Sequence, residues 1–541
     1  MPLTILTFLL FTGLVAVATW WFTRGKSTHT EDGFFLAGRS LSWAVIAGSL
    51  LLTNLSTEQL VGLNGGAFGR GLSVMAWEVV AGMSLVVMAL VFLPRYLKSG
   101  ISTIPQFLEE RYGSGVRALT TGTFIVAYML ILLPFVLFSG ASALAYMLNL
   151  PELLGMSDAA VIWLVVAFIA LVGSAYATFG GLRAVAVSDM FNGIGLLIGG
   201  LMMTWFCLSY AAGEGSLSEL FTKIETDNPD AFQSLGAAGE DEHWPTLFTG
   251  VLLLNFFYWC TNQQIIQRTF GAKTLAEGQK GVLMAAFFKI LAPLVLVLPG
   301  IVALYIANTN GAFNAGLLDA EGERVGSRVY GSLVRLVLPA PLTGFFAAVV
   351  VGSILSSFNS VLNSSATLFS LGVYKKILPN ASGRQVVWSG RVCSLAVALF
   401  AALGAPLIFM GRDNIFSYFQ GLNGVYFIPL LAIILFGMVN RRANGMSAII
   451  TAVLGLVIML WGTFWGADTV GNIFGSGFHF MGAVFAGLLI LQTVLGMFMQ
   501  RETAYVQQDA KVVDLTPWKL AKPVGFGLIA VVLVIYAVFA F

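Results

Sequence analysis

Apolar runs of roughly 18 residues or more recur along the chain, and each is long enough for a helix that crosses a bilayer. Short polar stretches separate them. The runs predict fourteen transmembrane helices, at 4–23, 42–69, 72–94, 117–147, 159–178, 185–212, 246–265, 282–308, 338–372, 386–409, 414–437, 444–464, 478–499 and 523–541. The pattern therefore predicts an all-α polytopic membrane protein.

Composition agrees with a chain that lies in the bilayer. Of its 541 residues, 58% are hydrophobic and 10% are charged, and a soluble domain of this length could not keep so apolar a surface in water. The net charge of +2 and the scatter of basic residues over short loops argue against nucleic-acid binding. Three cysteines lie in apolar segments at spacings that fit neither disulfides nor a metal site, and we interpret them as core packing: Cys207, Cys260 and Cys393.

The basic residues orient the predicted helices. With the N-terminus outside, most of the 28 Lys and Arg residues fall on the cytoplasmic side, as the positive-inside rule requires. The run 4–23 is followed by Arg24 and Lys26 and has no small-residue cleavage site, so we expect a retained span rather than a secretory signal. On the outside, residues 213–244 are rich in Asp and Glu, and we expect a solvated acidic loop there.

Polar residues interrupt two of the predicted spans. Such breaks expose backbone carbonyls and amides at depth, where only protein or a water-filled cavity can satisfy them. The first, LTNLSTEQ at 52–59, is followed by Gly62, Gly65 and Gly66; the second, NFFYWCTNQQ at 255–264, lies five spans later. Related breaks in two halves predict an inverted five-plus-five repeat with a binding site at its interface. The alternative is that these polar residues join neighbouring helices by hydrogen bonds.

Charged residues inside the spans narrow the position of this site, because a charge at the bilayer centre is expensive and is usually functional or paired. Glu78 lies in the third span, Lys289 in the eighth and Asp189 near the cytoplasmic start of the sixth. Glu78 and Lys289 either neutralise each other or bind substrate hydroxyls. The stretch GSILSS at 352–357 offers hydroxyls that suit a hard monovalent cation, although serines in membrane helices often bond to their own backbone.

Several motifs resemble those of the solute:sodium symporter family, in particular its sodium/galactose and sodium/glucose branch. These motifs are EDGFFLAGRSL, NLSTEQLVGL, TIPQFLEERY, YATFGGLRAV, NQQIIQRTFGAKTLAEGQKG and SSFNSVLNSSATLF. The chain resembles even more closely an uncharacterised bacterial symporter subgroup of that branch. The resemblance implies the inner membrane of a bacterium and a leucine-transporter-like fold in one transporter domain, 1–541. In that fold 42–212 and 246–437 are the two inverted repeats, 4–23 is an extra N-terminal helix, and 444–541 holds three C-terminal helices.

The resemblance also implies which residues contact a sugar. By motif position these are Gln59, Glu78, Asn255, Tyr258, Lys289 and Gln420. Carboxylate, amide and ammonium groups offer acceptors and donors to hydroxyls, and an aromatic ring covers the apolar face of a pyranose. Tyr258 would form the inner gate, and Leu63, Trp77 and Phe416 an outer hydrophobic lid. One position departs from the pattern: a serine of the galactose transporter is Ala81 here, which bears on the preferred epimer or on the substrate itself.

A sodium site is implied in the same way, between the first break and the ninth span. Its ligands would be the backbone carbonyls of Leu52, Leu55 and Ser353 and the hydroxyls of Ser356 and Ser357. Sodium bound there would hold the outward-facing form and order the broken helix, which couples the ion to the sugar. A second sodium is implied less completely, because Asp189 and Ser360 match the family pattern whereas Asn359 replaces another serine.

These features predict a secondary active Na⁺:sugar symporter that moves a neutral hexose, galactose or glucose, into the cell by alternating access. The alternative is a Na⁺ symporter for another small organic solute, such as a carboxylate, vitamin or amino acid. An anionic substrate would require an unbalanced positive charge in the binding site, whereas Lys289 faces Glu78. A sensor or channel module is disfavoured because no soluble signalling domain is attached. An enzyme is disfavoured because His29, His243 and His479 are scattered. The predicted partners are sodium, the sugar and the lipid bilayer, without nucleic acid, and the oligomeric state stays open.

Overall fold

Helices make up the protein, as the apolar pattern predicts. The computed structural model describes residues 2–23, 36–319, 321–412 and 414–540. Among these residues every regular element is helical and no strand is present. Arg24, Lys26 and the first part of the motif EDGFFLAGRSL lie outside the described residues.

The described residues of the first half of the chain form twelve α-helices, which include the first interrupted span. They are α1 (Pro2–Thr23), α2 (Trp43–Asn54), α3 (Thr57–Arg70), α4 (Ala76–Val87), α5 (Leu93–Ser99), α6 (Ile104–Tyr112), α7 (Ser114–Ala127), α8 (Leu133–Met147), α9 (Leu150–Leu154), α10 (Asp158–Ala212), α11 (Leu217–Asp227) and α12 (Trp244–Thr246).

The second half begins with the other interrupted span and ends with a helix that reaches Val538. Its α-helices are α13 (Leu252–Thr261), α14 (Gln263–Phe270), α15 (Leu275–Leu291), α16 (Pro293–Leu296), α17 (Leu298–Thr309), α18 (Gly311–Ala315), α19 (Gly326–Val337), α20 (Ala340–Phe369), α21 (Lys375–Ile377), α22 (Gly383–Phe409), α23 (Ile415–Val439), α24 (Gly445–Phe464), α25 (Ala467–Phe474), α26 (Gly477–Phe498) and α27 (Ala521–Val538).

Ten helical segments of the described chain are long and apolar enough to cross a membrane. The number is up to eleven if α15 and the helices after it, bent by 42°, are counted as one span. The predicted number of fourteen is therefore not confirmed. The predicted spans 42–69 and 246–265 are interrupted in the structure and do not count as separate segments. The helix α10 contains two of the ten segments, Asp158–Ala175 and Val185–Ala212.

Close helix packing brings the first break into the centre of the protein. The helix α2 packs against α10, α15 and α20, and α4 packs against α13 and α15. Glycines permit these approaches, since a Cβ on Gly281 would lie 2.8 Å from Ile46 Cβ, and a Cβ on Gly352 would lie 2.5 Å from Asn192 Oδ1. Small residues at helix crossings serve the same purpose in membrane proteins generally. Buried side chains of α2, α4, α13, α15, α20 and α23 thus surround one central region.

Candidate functional site

The break between α2 and α3 frees backbone carbonyls inside the protein. In a continuous helix the amide of Ser56 would bond to the Leu52 carbonyl, and that of Gln59 to the Leu55 carbonyl. Here the Ser56 amide donates instead to Asn54 O at 2.8 Å, and the Gln59 amide to Ser56 O at 3.0 Å. The two carbonyls predicted to bind sodium, those of Leu52 and Leu55, therefore lose their helical partners.

The helix α20 lies against this break. The Thr57 amide donates to Ser353 Oγ at 3.0 Å, and the Thr57 hydroxyl donates to Val350 O at 3.2 Å. Ser357 Oγ is fully buried and, within the described part of the chain, has no hydrogen-bond partner. Ser356 Oγ donates to an acid on α10 but keeps its lone pairs. Freed carbonyls and serine hydroxyls thus meet where the sodium site is predicted.

Asp189 is the acid that Ser356 contacts, and an arginine neutralises it. Arg268 Nη2 lies 3.5 Å from Asp189 Oδ2, and Arg268 Nε donates to Ser49 Oγ at 2.7 Å. Ser49 in turn donates to Asp189 Oδ2 at 2.9 Å, while Arg268 Nη2 donates to Ser360 Oγ. In this conformation a second sodium between Asp189 and Ser360 would compete with the guanidinium.

Glu78 and Lys289 form a buried ion pair. Lys289 Nζ contacts the Glu78 carboxylate and also donates to Asn54 Oδ1. Both side chains are enclosed, with relative exposures of 2% for Glu78 and 0% for Lys289. The ammonium also lies 5.5 Å from the ring centroid of Trp259. The pair joins α4 and α15 to the end of α2, and it is electrically neutral as a unit.

A central cavity lies beside this pair. Five of the six residues predicted to contact sugar line it, namely Gln59, Glu78, Asn255, Tyr258 and Gln420; Lys289 lies behind Glu78 and does not. The cavity volume is about 30 Å³, enough for no more than a few water molecules, so this conformation is closed around the site. The other lining residues are Asn54, Glu58, Trp77, Leu132, Leu254, Trp259, Phe416, Phe419, Asn423 and Phe427.

The polar groups in the cavity suit a hydroxylated ligand. Within the described residues Gln59 Oε1 has no hydrogen-bond partner. Asn255 Nδ2 donates to Val251 O at 3.0 Å, and Gln420 Oε1 accepts from Asn423 Nδ2 at 3.1 Å. The amides therefore keep donors and acceptors for a ligand.

Aromatic side chains close one end of the cavity. Trp77 and Phe416 both line it, with their ring centroids 5.4 Å apart and nearly perpendicular. Gly62 permits the approach, since a Cβ there would lie 2.8 Å from Phe416. Leu63, the third predicted member of the lid, is fully buried but does not line the cavity.

The acidic stretch 213–244 contacts this lid at its C-terminal end. Most of its acidic side chains are exposed, as predicted, but one departs from the prediction. Glu242 is fully buried. Arg70 Nη1 lies 2.6 Å from Glu242 Oε2 and 3.2 Å from Asp241 Oδ2, while Trp77 Nε1 donates to Glu242 Oε1 at 2.8 Å. Ser417, beside Phe416, donates to Asp241. Burial raises the pKa of Glu242 to about 7, against the lowering effect of Arg70. We call Arg70, Trp77, Asp241, Glu242 and Ser417 the outer latch.

The sequence reasoning missed several residues of the site. Asn54 and Glu58 lie in the first break, which was recognised as polar, but no role was given to either. The available signal was that both are polar residues within an apolar span, where such residues are usually functional or paired. Trp259 adjoins a predicted contact in the second break. Nothing in the sequence pattern marks Arg268 as buried, because its position follows from how α14 packs.

The chain belongs to the sodium:solute symporter family, whose model matches residues 34–455. The resemblance noted from the motifs is thereby confirmed, and sodium is the coupling ion of the family. Transport by sodium symport, not enzymatic catalysis, is accordingly the class of activity.

Individual relatives agree with this membership. An uncharacterised symporter of Escherichia coli, YidK, is 43% identical over 539 residues, covering 99% of this chain and 90% of the relative. The sodium/glucose cotransporter of Vibrio parahaemolyticus is 29% identical, covering 99% of this chain and 98% of the relative. In fold, the chain is similar to a Na⁺-coupled sialic acid symporter solved in a substrate-bound outward-open state. That match has a TM-score of 0.76 at 17% identity and covers 93% of this chain and 99% of the other.

Proposed function

We propose that this protein is a Na⁺:sugar symporter that carries a neutral hexose, galactose or glucose, into the cell. The observation that carries the proposal is the central cavity, where amide groups and the Glu78 carboxylate surround a space whose one ion pair is internally balanced. A neutral polyhydroxyl ligand can use these donors and acceptors without adding a buried charge. An anionic solute would meet no spare cation there, because Lys289 is held by Glu78.

In this proposal Gln59, Glu78, Asn255, Tyr258 and Gln420 contact the sugar. Lys289 acts on it through Glu78 in the present conformation and becomes a direct contact only if the pair separates when the cavity widens. The Tyr258 ring lies 6.3 Å from the Phe427 ring, and together these aromatics cover the apolar face of a pyranose. The similarity to a protein named a sodium/glucose cotransporter supports the sugar assignment.

We propose that sodium binds at the first break, to the Leu52, Leu55 and Ser353 carbonyls and the Ser356 and Ser357 hydroxyls. The freed carbonyls and the partnerless Ser357 Oγ support this assignment. Asp189 and Ser360 would belong to a second sodium site only in a state that releases them from Arg268.

Alternating access would then run between an outer gate of Leu63, Trp77 and Phe416 and an inner gate at Tyr258. We place the chain in the inner membrane of a bacterium, with its N-terminus outside, as a leucine-transporter-like protein of fourteen helices. Its inverted repeats would be 42–212 and 246–437, preceded by one helix and followed by three within 444–541. The latch of the outer loop on Trp77 supports the position of the outer gate.

The driving force is sufficient for concentrative uptake. One charge moving through a potential of about 100 mV releases about 2.3 kcal/mol, and a tenfold sodium gradient adds about 1.4 kcal/mol. One sodium ion per sugar can therefore sustain a sugar gradient of a few hundredfold.

A competition panel in proteoliposomes tests the choice of substrate. Galactose, glucose, other hexoses, polyols, carboxylates and amino acids would each be offered against a radiolabelled hexose, with and without a sodium gradient. We expect neutral hexoses to be taken up and to compete only when sodium is present. If no hexose is taken up while a carboxylate, vitamin or amino acid is, the protein is a sodium symporter for that other solute.

A further inference from the structure

Glu58 is a buried carboxylate that no basic side chain of the described residues contacts. It lies in the first turn of α3 and is 6% exposed. The two buried cations of this region are already engaged, since Lys289 pairs with Glu78 and Arg268 with Asp189. Among the described residues Glu58 itself forms no ion pair. An unpaired carboxylate at this depth is expensive, so it needs either a proton or a cation from outside the chain.

Hydroxyl and carbonyl oxygens lie around this carboxylate. It faces the hydroxyls of Ser56 and Ser357, yet within the described part of the chain neither Glu58 Oε2 nor Ser357 Oγ makes a hydrogen bond of normal geometry. The same break frees the carbonyls of Leu52 and Leu55. Carboxylate, hydroxyl and carbonyl oxygens are the ligands that hard cations take in proteins.

We propose that Glu58 is a ligand of the transported sodium ion, and that its carboxylate is shared between the ion site and the substrate cavity. This inference rests on the sodium site proposed above and adds the one charged ligand that its carbonyls and hydroxyls lack. Glu58 also lines the cavity, next to Gln59. One carboxylate oxygen can therefore meet the ion while the other accepts a hydrogen bond from a substrate hydroxyl.

Sharing the carboxylate couples the two ligands directly. Without sodium, Glu58 presents an uncompensated charge to the cavity. With sodium bound, the charge is neutralised and the carboxylate is fixed in place, so a hydroxyl of the substrate meets a preorganised acceptor. By linkage, sodium and substrate then raise each other's affinity by the same factor. A neutral substrate fits this arrangement because ion and carboxylate cancel.

Sodium binding measured without sugar tests this inference independently of the substrate. Radioactive sodium would be titrated into the purified full-length protein and into the variants Glu58→Gln, Ser356→Ala, Ser357→Ala and Glu225→Gln. The last makes the same acid-to-amide change at an exposed position of α11. We expect the sodium dissociation constant to rise about tenfold to a hundredfold in Glu58→Gln, as for loss of a charge-assisted contact, and to be unchanged in Glu225→Gln.

Thermal unfolding of the same proteins separates ion binding from a structural role. Glu58→Gln removes an unpaired buried charge, so without sodium it should unfold at a temperature no lower than the native protein. The rise in melting temperature that sodium gives the native protein should shrink in this variant. A lower melting temperature with an undiminished sodium effect would overturn the inference.

Two further outcomes distinguish this inference from the sodium site on which it rests. If Ser357→Ala weakens sodium binding while Glu58→Gln binds sodium as tightly as the native protein, the site stands and Glu58 is not a ligand. That result would also be expected if a proton satisfied the carboxylate. If neither Ser356→Ala nor Ser357→Ala changes sodium affinity, the site itself is wrong, and the inference fails with it.

Discussion

Removing one charge of the Glu78–Lys289 pair should destabilise the protein far more than removing both. Their side chains are 2% and 0% exposed, so Lys289→Met leaves the Glu78 carboxylate buried without its partner. Loss of one member of a buried pair costs about 3 to 5 kcal/mol, whereas replacing both members is often nearly neutral. We therefore expect the melting temperature of Lys289→Met to fall strongly. In the double variant Glu78→Gln/Lys289→Met, most of this loss should be recovered.

Sugar affinity should not recover with stability. Glu78 lines the cavity, and a charge-assisted hydrogen bond from a substrate hydroxyl contributes about 1.5 to 3 kcal/mol. Hexose affinity should therefore fall by roughly ten- to a hundredfold in Glu78→Gln and stay low in the double variant. The hexose concentration that gives half-maximal uptake into proteoliposomes measures this affinity, and the melting temperature is measured on the same variants.

Lys280 provides the matched control for these variants. It forms a 3.2 Å pair with Glu277 at the protein surface, where its side chain is 36% exposed. Because exposed pairs contribute little to stability, Lys280→Met should leave both melting temperature and hexose affinity near native. Native hexose affinity in the double variant Glu78→Gln/Lys289→Met would refute the reasoning, since the pair would then only neutralise itself.

Three further changes test other parts of the site. Ser357→Ala should raise the sodium concentration needed for half-maximal uptake by roughly ten- to a hundredfold, while saturating sodium largely restores the apparent sugar affinity. If the sodium dependence is unchanged in both Ser357→Ala and Ser356→Ala, the ion binds elsewhere. In the closed latch the pKa of Glu242 is raised from 4.5 to about 7, so closing the gate takes up a proton. The closed gate is therefore favoured below pH 7, and this preference is lost as the pH rises through 7. Labelling of Leu63→Cys by a membrane-impermeant thiol reagent should increase from pH 6 to pH 8, and an equal increase in the Glu242→Gln background would contradict this. Ala81→Ser should change the ratio of galactose to glucose affinity, and an identical ratio would exclude contact of this position with the sugar.

The parts of the site that depend on local chemistry could be predicted from the sequence. Polar residues at 52–59 in an apolar span indicate a break whose freed backbone groups are satisfied by protein or by a water-filled cavity, and the structure interrupts the helix there, after Asn54. The cost of a buried charge likewise identified Glu78 and Lys289 as neighbours or ligands, and they form a buried pair.

The remaining features depend on packing between distant segments. Glu242 lies in a loop whose acidity predicts exposure, yet folding places it against Arg70 and Trp77. Lys289, a predicted sugar contact, does not line the closed cavity, because the approach of α15 to α2 and α4 fixes its depth. The number of spans also depends on where helices are interrupted, and hydrophobicity alone does not locate these interruptions.

Concentrative hexose uptake under an imposed sodium gradient tests the central claim most directly. Proteoliposomes containing the purified protein would receive radiolabelled galactose or glucose with sodium outside only, with equal sodium on both sides, and with sodium replaced by potassium. A transient accumulation above the equilibrium level, seen only with the inward sodium gradient and enhanced by an inside-negative potential, is the predicted result. Hexose uptake that only equilibrates, or that is the same in potassium, would contradict sodium-coupled sugar transport by this protein.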